Sequence, residues 1–132
     1  MAALRDIHSH LGPAQSLAPA AYTSDTDGSG VDLRGFDSAM VLIDVGAYTD
    51  GTHTFEVQES DDDSNYTAVA DADLQGTEPV VDGAGAATQT YKIGYTGDSR
   101  YVRVVVTATG TSSGAVYGGS VIRSHAHQTP VS

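Results

Sequence analysis

Residues 100–109 read Arg-Tyr-Val-Arg-Val-Val-Val-Thr-Ala-Thr, and this run constrains the fold more than any other stretch of the chain. Most of its side chains are β-branched, and they alternate. Val102, Val104, Val106 and Ala108 fall on one face of an extended strand, Tyr101, Arg103, Val105 and Thr107 on the other. A helix would scatter the same valines around its axis, so the run predicts a strand with one face in a core.

The same logic finds its partners. Residues 38–45 are a short apolar run bounded by glycines, which predicts a strand buried on both faces or nearly so. Asp50-Gly51 accepts the positive φ angles of a type I′ turn, and beyond it residues 52–59 alternate, with His53, Phe55 and Val57 on one side. These two runs are expected to pair as a hairpin. Asp61, Asp62 and Asp63 then form an exposed loop, since burying three adjacent carboxylates would strip their hydration.

Residues 66–69 are a brief strand and residues 71–74 a helical turn, followed by loop over 76–87. Strand character returns at 88–95, where Gln89, Tyr91, Ile93 and Tyr95 share a face. Residues 96–99 make a tight turn. A last strand covers 115–123, in which Gly118-Gly119 marks a bulge or a close backbone approach.

Residues 1–35 are rich in Ala, Pro, Ser, Asp and Gly without a sustained period, so they are expected to form an extended N-terminal arm, with at most a short extended stretch near 15–22. The division expected is therefore an arm over 1–35, a sandwich domain over 36–124 and a tail over 125–132. Strands at hairpin spacing without crossover helices imply an all-β fold, an antiparallel β-sandwich or jelly-roll-like barrel.

The chain has 132 residues, one domain's worth, and no cysteine, so thiolate chemistry and disulfides are excluded. Seventeen acidic residues against six basic ones give a net charge of -11, which makes nucleic acid and acidic membranes poor partners. Residues 1–11 carry Arg5, Asp6, His8 and His10 where a secretory leader needs an apolar core, so synthesis in a cytoplasm is expected.

Candidate chemistry is sparse. Asp25, Asp27, Ser29 and Asp32 alternate around two glycines like part of a calcium loop, but the bidentate Glu of that pattern is missing. Asp61 to Asp63, between Glu59 and Asn65, are consecutive and cannot easily converge on one ion. His8 with His10, and His125 with His127, are His-x-His pairs whose rings would share a face in an extended segment and offer two ligands to a metal. A hydrogen-bonding role at a subunit contact suits them better. Neither these pairs nor Asp25, Asp27 and Asp32 are assigned a metal.

His53 is read as a partly buried, hydrogen-bonded histidine at the edge of the core. No Gly-x-Ser-x-Gly elbow, phosphate loop or His-Glu-x-x-His is present, so no catalytic residue and no cofactor is assigned, and the chain is expected not to be an enzyme. Tyr91, Tyr95, Tyr101 and Tyr117 on the C-terminal strands are expected mostly in the core or at a subunit contact.

The run Phe55-Glu56-Val57-Gln58-Glu59-Ser60-Asp61-Asp62, the phrase from Tyr66 to Gly76, Gly94-Tyr95-Thr96-Gly97 before Arg100-Tyr101-Val102-Arg103-Val104, and the closing His125-Ala126-His127 together resemble small structural proteins of tailed bacteriophages. The resemblance covers residues 36–127 and carries no active-site residue. It implies a virion protein, a capsid decoration (cement) protein on the major capsid protein lattice, forming a homo-oligomer with a trimer favoured. The arm would clamp a neighbouring subunit. A head-tail joining protein is the nearest alternative. Arg-Tyr-Val-Arg-Val also looks like a strand of carbohydrate-binding jelly rolls, whose site would lie in the loops at 61–65 and 110–114.

Overall fold

A computed structural model describes residues 5–131. In chain order the strands are β1 (Gly12–Tyr22), β2 (Thr26–Asp27), β3 (Val31–Asp32), β4 (Phe36–Tyr48), β5 (Thr52–Ser60), β6 (Thr67–Ala68), β7 (Leu74–Gln75), β8 (Val80–Val81), β9 (Gln89–Tyr95), β10 (Tyr101–Thr109) and β11 (Ala115–Ala126). Short 3₁₀ turns occupy His8–His10, Asp71–Asp73 and Ala84–Ala86.

Two antiparallel sheets face each other. Sheet A runs β1-β11-β4-β9-β7, and sheet B runs β2-β10-β5-β6, with β3 also on β10 and β8 also on β5. The pairing is nested: β1 lies beside β11, β2 and β3 beside β10, β4 beside β9, β5 beside β6 and β8. One long folded ribbon wound over itself gives this order, which is that of a jelly roll.

The apolar faces meet between the sheets. Ala39, Val41, Ile43, Val45, Ile93, Tyr117 and Val121 come from sheet A, and Phe55, Val57, Val81, Val102, Val104 and Val106 from sheet B, all buried. The alternation of residues 100–109 is therefore the alternation of a core strand. Residues 38–45 alternate too: Met40 and Leu42 are only half-buried and Asp44 is exposed, so β4 has one covered face, not two.

The hairpin expected across Asp50-Gly51 does not form. β4 belongs to sheet A and β5 to sheet B, so the turn is an arch between sheets. Gly51 has φ +89, and a Cβ there would meet Thr109 O at 2.8 Å, which is why the sequence signal resembles a hairpin turn. Both apolar faces can point at the same core only if the chain crosses over.

The N-terminal segment bears out the extended stretch expected near 15–22 but departs from a free arm. Of residues 1–35, those at 12–22 form a full edge strand of sheet A, and 26–27 and 31–32 pair with β10. Leu17 is 2% exposed. Ser16 Oγ donates to Ser29 O at 2.7 Å and accepts from Val104 N–H at 2.9 Å, tying the sheets together. Gly118 lies where this strand crosses closest: a Cβ there would meet Pro19 at 3.0 Å. The sandwich thus includes most of the segment read as an arm, and its last strand runs past residue 124 to Ala126.

Candidate functional site

The strand registers define two ends of the sandwich. At one end lie the starts of β1, β4 and β10 and the ends of β5, β9 and β11; at the other lie the turns 49–51, 82–88 and 110–114. Tyr101 is opposite Ser60 and Thr109 opposite Thr52, so the loops 61–65 and 110–114 occupy opposite ends. They do not form the single site that sugar binding would need.

An open groove of about 460 Å³ lies at the first end. Its walls are the β3–β4 turn with Leu33 and Arg34, the start of β4, the β9–β10 turn with Asp98 to Arg100, and His127. Arg100 makes a two-pronged contact with Asp32, Nε to Oδ1 at 3.0 Å and Nη2 to Oδ2 at 2.9 Å. That guanidinium, helped by the Arg34 N–H, holds the Asp32 carboxyl below its usual range. Tyr95 donates to Glu59 Oε1 at 2.7 Å and accepts from Ser99 N–H at 3.0 Å; burial, then the Glu59 contact, push its phenol up to about 12. Arg123 stacks over Phe36 at 4.6 Å and donates to Gly12 O and Asp32 O.

The histidine pairs do not act as pairs. His125 has φ +52, which breaks the strand alternation, so its Nδ1 meets Ser38 Oγ at 2.6 Å while His127 Nε2 meets Asp37 Oδ1 at 2.7 Å. Ser38 and His125 have nucleophile-to-base spacing. The adjacent carboxylate, Asp37, is engaged by the other histidine and cannot orient His125. His8 and His10 lie in a 3₁₀ turn at the same end.

The acidic candidates are fasteners. Asp25 accepts from Ala108 N–H at 2.9 Å, Asp27 reaches Arg103 at 3.8 Å, and Asp32 holds Arg100, so they are strung along β10 and do not converge. Asp62 accepts from Asn65 N–H, Ser64 N–H, Asn65 Nδ2 and Ser60 Oγ, and the backbone donors above all drive its carboxyl far below the usual range. Asp63, at φ +59, accepts from Tyr66 OH. Among the described residues no group of three or more His, Asp or Glu is arranged to hold a metal.

Sequence reasoning missed Asp50. Its carboxylate accepts from the N–H groups of Ser112, Ser113 and Gly114, closing the second end of the sandwich. Only its place in an Asp-Gly turn could have drawn attention to it. His53 shares the inward face of Phe55 and Val57 as expected, but it is fully buried and not a partly exposed residue at the core's edge. Of the four tyrosines singled out, Tyr95 and Tyr117 are core residues, while Tyr91 and Tyr101 are half-buried.

Fold and surface together define a jelly-roll β-sandwich whose charged loops are locked by their own contacts. No family model matches the chain, and no curated protein matches it in sequence. One solved structure, the crystal structure of PirA, superposes with TM-score 0.42 at 14% identity, covering 93% of this chain and 100% of that one. A likeness of that size carries no argument about function.

Proposed function

We infer that the chain is a structural protein of a tailed-bacteriophage virion, working as a capsid decoration protein that binds and stabilises the major capsid protein lattice. It acts by binding and not by catalysis. The observation that carries the reading is the use of acidic side chains: Asp25, Asp32, Asp50 and Asp62 each pin a loop or strand edge by hydrogen bonds to backbone or arginine. The result is a stiff, anionic shell subunit that repels packaged DNA and presents preformed surfaces to protein partners. The phage-like phrases support it, since they fall on β5 and its Asp62 loop, on residues 66–76, and on β9 and β10. The fold itself hosts capsid and lectin domains alike and does not choose between them.

Because residues 12–32 are built into both sheets, contact with the lattice falls to the faces of the sandwich and not to a 35-residue clamp. The test is addition of the purified chain to capsids lacking it, followed by electron cryomicroscopy. Density at every lattice position supports decoration. A single ring at a vertex supports the head-tail joining alternative, and no co-sedimentation together with a glycan-array signal overturns the virion reading.

A further inference from the structure

The two outer faces of the sandwich differ in kind. On sheet B the outward side chains form a polar network: Arg103 donates to Gln58 Oε1 at 2.9 Å and 2.7 Å, Gln58 donates to Glu56 Oε1, and Arg103 sits 4.0 Å over the Tyr66 ring. Such a face is finished by its own contacts and by water.

Sheet A carries fewer such contacts: Thr90 Oγ1 donates to Asp44 Oδ1 at 3.4 Å, and Ser38 Oγ meets His125 Nδ1 at 2.6 Å. Its register places Pro13, Ile122, Met40 and Gly94 in one outward row, and Gln15, Ser120, Leu42 and Lys92 in the next. A row of Ser124 and Ser38 lies on one side, and a row of Gly118, Asp44 and Thr90 on the other. Val116, further along β11, is 42% exposed. These four rows carry one carboxylate and one ammonium, on a chain with seventeen acids and six bases.

The geometry points to the outer face of sheet A as a contact between two copies of this chain, related by a two-fold axis beside Leu42. Electrostatics selects the occupant. Two chains of charge -11 repel overall, and on this nearly neutral patch each copy brings a single carboxylate, Asp44, matched by a single ammonium, Lys92. Lys92 stands beside Leu42, and Asp44 one row on, so a two-fold axis bisecting that diagonal sets each Asp44 against the second copy's Lys92 and Leu42 against Leu42. Four strands about 4.8 Å apart and four rows about 7 Å apart span roughly 500 Å². A standard interface uses about 800 Å² per partner, so the dimer is a weak one. The inference does not rest on the virion reading, and it replaces the three-fold association expected from the sequence with a two-fold one.

The test is sedimentation velocity on the full chain from about 5 to about 500 µM. The sedimentation coefficient should rise with concentration. Leu42→Glu should raise Kd at least ~100-fold, because each copy would bury a carboxylate without a counter-charge. Lys92→Glu alters an exposed side chain with no effect on the core and should raise Kd ~10-fold; combining Asp44→Lys with Lys92→Asp should restore it to within about threefold. Thr54→Glu, on the outer face of sheet B, should leave Kd unchanged. A chain monomeric at about 500 µM overturns the proposal. So does a folded Leu42→Glu variant that associates like the parent, or a charge swap that restores nothing.

Discussion

The Tyr117 hydroxyl lies 2.7 Å from Nδ1 of His53, and the two side chains come from opposite sheets. His53 Nε2 is 3.0 Å from the Asp50 carbonyl, which can only accept, so Nε2 carries the proton and Nδ1 accepts from Tyr117. Phe55 packs edge-on to the Tyr117 ring at 4.8 Å, and Tyr22 stacks on it at 5.0 Å. A polar bolt thus crosses the interior between the sheets, fully satisfied at both ends.

Removing one half of that bolt should be costly. Tyr117→Phe leaves Nδ1 of His53 buried without a donor, and stability should fall by about 1–3 kcal/mol. Urea unfolding followed by circular dichroism measures it. A loss below a few tenths of a kcal/mol would mean that the contact is not sustained in solution.

Asp50 predicts an acid-sensitive end. Its carboxyl is held below the ordinary value of 3.8, chiefly by the Gly114 N–H and then by those of Ser112 and Ser113. A depressed folded value means that its stabilisation is present above 3.8 and disappears as pH drops through the folded value. Asp50→Asn should therefore melt below the parent at pH 7, with the gap closing in strong acid. A gap independent of pH would point to lost geometry instead.

Tyr95 predicts the alkaline limb. Burial first, then the Glu59 contact, raise its phenol from 10.0 to about 12. A raised folded value means that the stabilisation is complete below pH 10.0 and is lost as pH climbs through about 12. Tyr66 and Tyr117 are shifted the same way, mainly by burial. In a titration followed by phenolate absorbance, part of the signal should appear late and together with loss of β-sheet dichroism. Simple titration of all seven tyrosines near the free value would refute this.

Glu78 works in the opposite sense to Asp50. Its Oε2 accepts from Val57 N–H, yet burial dominates and pushes its carboxyl above the ordinary 4.5. Its contribution is intact below 4.5 and is lost as pH rises through the folded value. Glu78→Gln keeps an acceptor without the charge, so it should melt higher than the parent at pH 7 and equal it near pH 4.

The first strand supplies the sharpest test of the fold. Leu17→Ala should cost about 2–5 kcal/mol, and Ser16→Ala about 1–3 kcal/mol by leaving Val104 N–H and Ser29 O without their partner. Deleting residues 1–34 removes β1, β2 and β3 and should leave an unfolded, protease-sensitive chain. A cooperative melt from that truncation would return the segment to the status of an arm.

Local pattern alone placed Val102, Val104, Val106, Phe55 and Val57 inside and put His53 on the same face, because a pleated strand sends alternate side chains to opposite faces whatever its neighbours are. It also located the Gly118-Gly119 approach, the 3₁₀ turn at Asp71–Asp73 and the exposed Asp61 to Asp63 loop. It could not say which strands pair. Pairing joins residues far apart in sequence, such as Ser16 with Val104 and Asp50 with Gly114, and no residue carries a record of its distant partner. Hence the Asp50-Gly51 turn, correct in its backbone chemistry, became an arch. A Pro- and Ala-rich segment without periodicity became an edge strand because β11 offered it a free edge and a glycine pair on which to lie.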